Sequence, residues 1–345
     1  MIPIQNIYYM LSYAFQVLNE QGYKNIATEQ FHNTAELMAA ILEKGIAIQL
    51  KRGLGKEYIP QTEALSSLRG KIDIAESIKT QSMLRKQLIC TYDEFSVNSI
   101  MNRIIKSTVE LLLRSNISKQ RKKNLRKLMV YFSEVDFIDL YTVNWNVQYN
   151  RNNQTYRMLI SICYLVVKGL LQTQSNGHTK LMDFLDEQRM CRLYEKFILE
   201  YYRREFKNQI TANASQIPWQ LDDEENSMLP VMQSDIMLQR GEKVLIIDAK
   251  YYEHSTQVQF DKHTLHSGNL YQIFTYVKNK EYELREKDHT VSGMLLYAKT
   301  DEEIYPNNVY QMSGNQITVR TLDLNLPFDE IAGQLNTIAK THFDL

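Results

Sequence analysis

Hydrophobic and polar positions alternate most tellingly over residues 228–250, MLPVMQSDIMLQRGEKVLIIDAK. Met232, Ile236 and Leu238 precede a polar break, Arg240-Gly241-Glu242-Lys243, and the run Val244-Leu245-Ile246-Ile247 follows it. Two apolar arms around glycine-centred turn residues predict a β-hairpin. The unbroken apolar run predicts that its second strand is buried on both faces.

The rest of the chain reads around this hairpin. Helical spacing predicts helices over 5–19, 33–44, 97–115, 154–171, 185–207, 267–280 and 328–341. Asn33 is the expected N-cap of the second, with Glu36 three residues on and Gly45 just past its end; Ser267 is the expected N-cap of the sixth. Alternation over 46–60, centred on Gly53-Leu54-Gly55, predicts a long hairpin or finger with Lys51, Arg52 and Lys56 near its tip. Short strands are expected near 69–74, 88–95, 291–298 and 316–322. The polar stretch 172–180, QTQSNGHTK, is the best linker. Two domains follow, 1–175 and 181–345. The expected class is α/β (α+β overall): a C-terminal domain with a mixed central sheet flanked by helices, preceded by a mixed α/β domain with a projecting hairpin.

The hairpin also gathers charge. With Gly241-Glu242 at the centre of the turn, Asp235 lies directly opposite Asp248. With Arg240-Gly241 there, Asp248 becomes its diagonal neighbour. Either register puts Asp235, Asp248 and Lys250 on one surface. Two carboxylates at ~4 Å repel by about 4 kcal/mol at an effective dielectric near 20. A divalent cation with oxygen ligands removes that cost. The plainer reading is an exposed hairpin with ordinary surface charges. Glu195 stands at the edge of the apolar stripe of helix 185–207. Gln272 and Tyr276, four apart, share a helix face.

Charge narrows the function classes. The 345 residues carry 40 basic and 40 acidic side chains, which argues against strong non-specific nucleic-acid binding by the whole chain. The one basic run, KQRKKNLRK at 119–127, is more simply a solvated helix face than a phosphate contact. Cys90, Cys163 and Cys191 are too few and too scattered for a zinc site, and the histidines of 254–266 have no compact ligand spacing. No apolar run reaches spanning length and no signal peptide is evident, so a cytoplasmic protein without membrane contact is expected. There is no Walker-type phosphate loop.

The Asp235…Asp248-Ala249-Lys250 pattern resembles the PD-(D/E)XK nuclease superfamily. Gln272-x-x-x-Tyr276 resembles the helix motif of its RecB-like branch, and Glu195 in LYEKF matches the acidic residue of its first helix. Ser234 stands where the superfamily name has proline. The segments at 2–14, 52–54, 69–73, 92–108, 244–252 and 266–276 look like the McrC family, endonuclease subunits of methylcytosine-dependent restriction systems. The resemblance implies a Mg²⁺ held by Asp235, Asp248 and the Ala249 carbonyl, with Glu195 reaching it directly or through water. It implies that Lys250 positions water or neutralises phosphate, and that Gln272 and Tyr276 orient the site. It implies a McrB-type AAA+ GTPase hexamer as partner, which binds the GTP, delivers double-stranded methylated DNA and is stimulated by this subunit. The alternative is a non-catalytic adaptor of a partner NTPase with a vestigial nuclease fold.

Overall fold

The computed structural model describes residues 2–15, 31–151, 153–175, 187–223, 228–251, 257–259, 262–299 and 305–345, with Leu18, Tyr23, Ile26 and Glu29. Residues 176–180 of the expected linker and 254–256 of the histidine-bearing stretch lie outside them. The chain opens with α1 (Ile4–Ala14) and forms two compact units, Thr28–Phe184 and Met1–Ala27 with Leu185–Leu345.

In the unit Thr28–Phe184, Asn33 caps α2 (Thr34–Arg52) by accepting a hydrogen bond from the Glu36 N–H at 2.8 Å. The helix runs through the expected stop at Gly45 and through the first half of the expected finger. Leu42, Gly45, Ile46 and Gln49 are all buried, a helical i, i+3, i+4, i+7 stripe that outweighs the apparent alternation of 46–50. Gly53 ends the helix instead, at φ +89°, in a backbone region that favours glycine. Lys51 and Arg52 therefore sit in the last helical turn, where cations complement the helix dipole, and no hairpin forms at 46–60.

The β-ribbon is made by more distant segments. β1 (Glu57–Leu65) pairs antiparallel with β3 (Leu88–Ser96) over nine residues, and β2 (Lys71–Asp73) adds to the other side of β3. The short helix α3 (Ile74–Lys79) lies between β2 and β3 in the chain. Among the described residues three further α-helices belong to the unit: α4 (Ile100–Arg114), α5 (Lys119–Met129) and α6 (Tyr156–Ser175). The basic run lies on α5, with Lys119, Lys123, Arg126 and Lys127 exposed. Arg121 turns inward, with nitrogens 2.9 Å from Glu29, 3.4 Å from Glu36 and 2.8 Å from Glu43, and ties α5 to α2.

The other unit holds the predicted hairpin. Besides α1, its elements among the described residues are α7 (Glu187–Glu205), β4 (Thr211–Asn213), β5 (Gln216–Ile217), β6 (Met232–Gln233), β7 (Ile236–Arg240), β8 (Lys243–Lys250), β9 (Gln257–Gln259), β10 (Lys262–Thr264), α8 (Ser267–Glu283), β11 (Thr290–Ala298), β12 (Asn308–Met312), β13 (Asn315–Leu322) and α9 (Phe328–Phe343). A six-stranded sheet has the order β12-β13-β11-β8-β7-β4. β8, β11 and β13 run parallel; β12, β7 and β4 pair antiparallel with their neighbours. Val244 and Ile246 of β8 join Ile273, Tyr276 and Val277 of α8 in one core. Leu245, Ile247 and Ala249 point to the other face and are equally buried. Each fully buried aliphatic side chain contributes about 1.5–3 kcal/mol, so β8 anchors the unit from both sides.

α1 belongs to this unit, which corrects the expected 1–175 domain. Ile7 and Leu11 are buried as α1 packs on α7. The Tyr13 ring lies 5.7 Å from Phe197 and 5.3 Å from Tyr201, and its hydroxyl donates to Glu205 at 2.9 Å. The Asn6 amide donates to the Leu324 and Leu326 carbonyls at 2.7 and 2.8 Å. An apolar helix face gives no indication in sequence of which neighbour covers it.

α8 packs tightly over Gly293 of β11, where an added Cβ would meet Ile273, Ile317 and Val277 at 2.8, 2.9 and 2.9 Å. Gly293→Ala is expected to cost about 1–3 kcal/mol by overpacking, while Gly268→Ala, in open space, stays near neutral. Urea denaturation of both variants checks this; equal midpoints would mean that the contact relaxes freely.

Candidate active site

The hairpin turn settles the register. Ile236 pairs with Ile247 and Arg240 with Lys243, so Gly241-Glu242 are central and Asp235, one residue before β7, lies opposite Asp248. Asp235 is held there by the strand itself: its Oδ2 accepts from the Ala249 N–H at 3.0 Å. Ser234, at the position of the superfamily proline, donates its own N–H to the Ser215 carbonyl at 3.0 Å. Proline has no N–H to give, so the departure adds a fastening at the entry to β7.

Asp248 is 1% exposed. Lys250 Nζ lies 2.9 Å from its Oδ2, yet neither carboxylate oxygen has an aligned hydrogen-bond donor. The pair is held by charge, off the line that a hydrogen bond needs. The Asp248 carboxyl is raised to about 7: burial is the largest cause, Lys250 opposes the rise and Asp235 adds to it. An acid so placed is poorly satisfied by protein groups alone.

The remaining predicted residues converge on the same place. Lys250 Nζ donates to Gln272 Oε1 at 3.2 Å, and Gln272 Nε2 donates to the Tyr276 hydroxyl at 2.9 Å. The i, i+4 pair on α8 thus holds the lysine from above the sheet. Ser267 begins α8, but His266 is its N-cap residue and gives no side-chain cap. Glu195 of α7 is linked to the strand indirectly. Cys191 Sγ donates to Glu195 Oε1 at 3.1 Å and lies 3.9 Å from the Ala249 carbonyl oxygen. Burial and the nearby Asp235 charge raise the Glu195 carboxyl above its ordinary range. Cys191 has no place in the motif; its only signal in sequence is its spacing, four residues before Glu195 on one helix face.

Among the described residues, no three His, Cys, Asp or Glu side chains are grouped tightly enough to hold a metal unaided. Mg²⁺ does not require that. It commonly binds through one or two carboxylates, keeps several waters and completes its shell with substrate phosphate. Asp235, the unsatisfied Asp248 and the Ala249 carbonyl are a donor set of that kind.

A family model for the McrBC 5-methylcytosine restriction system component matches residues 5–298. The chain belongs to this family. The Escherichia coli (strain K12) type IV methyl-directed restriction enzyme EcoKMcrBC is 30% identical over 329 residues, 94% of this chain and 93% of the relative. A Thermococcus gammatolerans structure, a half-complex from a tetradecameric assembly of McrB AAA+ hexamers with bound McrC, matches at TM-score 0.49 and 18% identity, over 97% of this chain and 76% of that one. A second, of the McrBC complex from the same organism, matches at TM-score 0.42 and 21% identity, over 59% of each chain. The McrBC family match runs from α1 to the end of β11 and so includes every residue of the candidate site. Among the described residues, no helix is long and apolar enough to cross a membrane.

The raised Asp248 acidity constant has a consequence for stability. Between its ordinary value of 3.8 and about 7, the folded chain binds this proton and the unfolded chain does not. Its contribution is therefore present at low pH and is lost as pH rises through that window. In chelator, the Asp248→Asn protein is expected to lose less stability than wild type from about pH 5 to about pH 8 and to melt higher at the upper end. Thermal melts across pH measure this; parallel curves would contradict it.

Proposed function

We propose that the chain is the Mg²⁺-dependent DNA endonuclease subunit of a methylcytosine-dependent restriction complex. Its partner is a GTP-hydrolysing AAA+ hexamer of the McrB type, which binds the GTP and brings methylated double-stranded DNA to the site. Family membership supports the setting. The observation that carries the chemistry is Asp248: a carboxylate 1% exposed, without an aligned donor, beside Asp235 and Lys250 at the end of the central strand.

Asp235, Asp248 and the Ala249 carbonyl would hold the cation, and Glu195 would contribute directly or through water. When bound, Mg²⁺ supplies Lewis-acid activation of water and charge stabilisation on the scissile phosphate. Lys250 presents a cation whose position is fixed from two sides, by Asp248 and by Gln272. It can orient the attacking water or offset charge that develops on phosphate oxygen. Tyr276 holds Gln272, and so limits the directions in which Lys250 can swing. The neutral net charge suits a subunit that is loaded onto DNA by its partner.

The unit Thr28–Phe184 is assigned to partner docking and to stimulation of GTP turnover. Its β1–β3 ribbon exposes Tyr58 and Phe95, paired across the strands with ring centroids 5.0 Å apart and 72% and 55% exposed. The two rings make one contiguous apolar surface in solvent, and contiguous exposed apolar surface is a feature of interaction sites. Tyr58→Ser with Phe95→Ser is expected to weaken stimulation of the partner's GTP hydrolysis and leave cation binding unchanged. Undiminished GTP turnover would remove the ribbon from this role.

Catalysis is tested on methylated and unmethylated plasmid, with and without partner, GTP and Mg²⁺. Lys250→Ala and Asp248→Ala are expected to fold and to abolish cleavage. Mg²⁺ should raise the melting temperature of wild type by mass action, and Asp235→Asn should lose that rise. Cleavage by well-folded Asp248→Ala would place the reaction elsewhere and leave an adaptor role as the better reading.

A further inference from the structure

We propose that the cavity between β13 and α9 is a binding site for a phosphate group. The cavity, of about 360 Å³, is lined by Arg320 of β13 and by Gln334 and Thr337 of α9. Sheet register places Arg320 beside Leu296 and Leu296 beside Ala249. Paired residues share a face, so Arg320 lies on the face opposite Asp248 and Lys250. It stands two strands from β8, roughly 10 Å away.

Two donors here lack an acceptor among the described residues, Arg320 and the Gln334 amide, whereas the Thr321 and Thr337 hydroxyls donate to the Pro306 and Gly333 carbonyls. Among the described residues Arg320 has no ion pair and no hydrogen bond. Tyr202 is near enough to feel its charge, but the Tyr202 hydroxyl donates to the Leu335 carbonyl at 3.0 Å. The Gln334 amide is oriented by its Oε1, which accepts from the Asp323 N–H at 3.1 Å. That assignment makes the other end Nε2, and Nε2 is buried with no acceptor. No carboxylate is among the described residues lining the cavity, and Asp323 is engaged with Lys299 at 2.7 Å.

Water can satisfy one amide, but it cannot neutralise a guanidinium. A phosphate group can do both. Its several oxygens accept the two-pronged arginine fork and leave another for the Gln334 amide. The group can come from a DNA strand or from free inorganic phosphate. The site is distinct from the proposed cation site and does not depend on it.

Titration calorimetry on the full chain, with inorganic phosphate and separately with a short DNA duplex, tests the assignment at constant ionic strength. Wild type is expected to bind at least one probe, and Arg320→Met to bind that probe about tenfold more weakly or worse. Asp248→Asn should leave phosphate binding unchanged. Gln334→Glu keeps the acceptor for Asp323 and replaces the donor with negative charge; it should weaken binding too, and it stands in if Arg320→Met does not fold. Loss confined to the duplex identifies a strand phosphate, and loss with inorganic phosphate identifies the free anion. No binding of either probe by wild type, or binding by both variants equal to wild type, overturns the proposal.

Discussion

A carboxylate buried at the end of a central strand, facing a second carboxylate and one lysine, is the constraint on which the rest of the unit depends. Asp248 is removed from water by the same packing that fixes β8 between two layers. It carries a charge that Lys250 offsets without a proper hydrogen bond. Such a group destabilises the fold when nothing is bound, and strain of this kind persists where it serves a site. The layers around it supply the compensation. Val244 and Ile246 are buried against α8, Leu245 and Ile247 on the other face, and α1 is clamped to α7 by Tyr13 and to the segment before α9 by Asn6.

The same architecture explains why the site is ordered. Asp235 is fastened to the Ala249 N–H, Lys250 to Gln272, Gln272 to Tyr276, and Glu195 to Cys191. The first two links join Asp235, one residue before β7, and α8 to the end of β8; Cys191, 3.9 Å from the Ala249 carbonyl oxygen, brings α7 to it, and the other two links fix side chains within α8 and α7. A cation entering there would meet ligands whose directions are already set. That lowers the ordering cost of binding.

The hairpin was legible because side-chain alternation and the polar turn act over a few residues; its register was not, because two turn centres fitted the sequence equally, and the pairing of Ile236 with Ile247 decides between them. The Gln272–Tyr276 contact was legible because helical spacing alone brings residues four apart together. Other features depend on distant packing. The stretch 46–50 alternates like a strand, but it continues α2 because its buried stripe lies against α6. The ribbon that replaces the expected finger joins Glu57–Leu65 to Leu88–Ser96, a pairing that no local pattern announces. α1 was assigned to the wrong unit because an apolar face does not name its partner. Arg121 reads as one more cation in a basic run, yet three glutamates from α2 and the segment before it draw it inward. Cys191 was missed because a thiol that donates one hydrogen bond leaves no mark beyond its spacing.

Diffraction from crystals of the full chain grown with Ca²⁺ tests the central claim most directly. A bound cation is expected within about 2.3–2.6 Å of Asp235, Asp248 and the Ala249 carbonyl oxygen, and it should vanish in Asp248→Asn. A cation bound elsewhere, with Asp248 still engaged only by Lys250, would contradict the account.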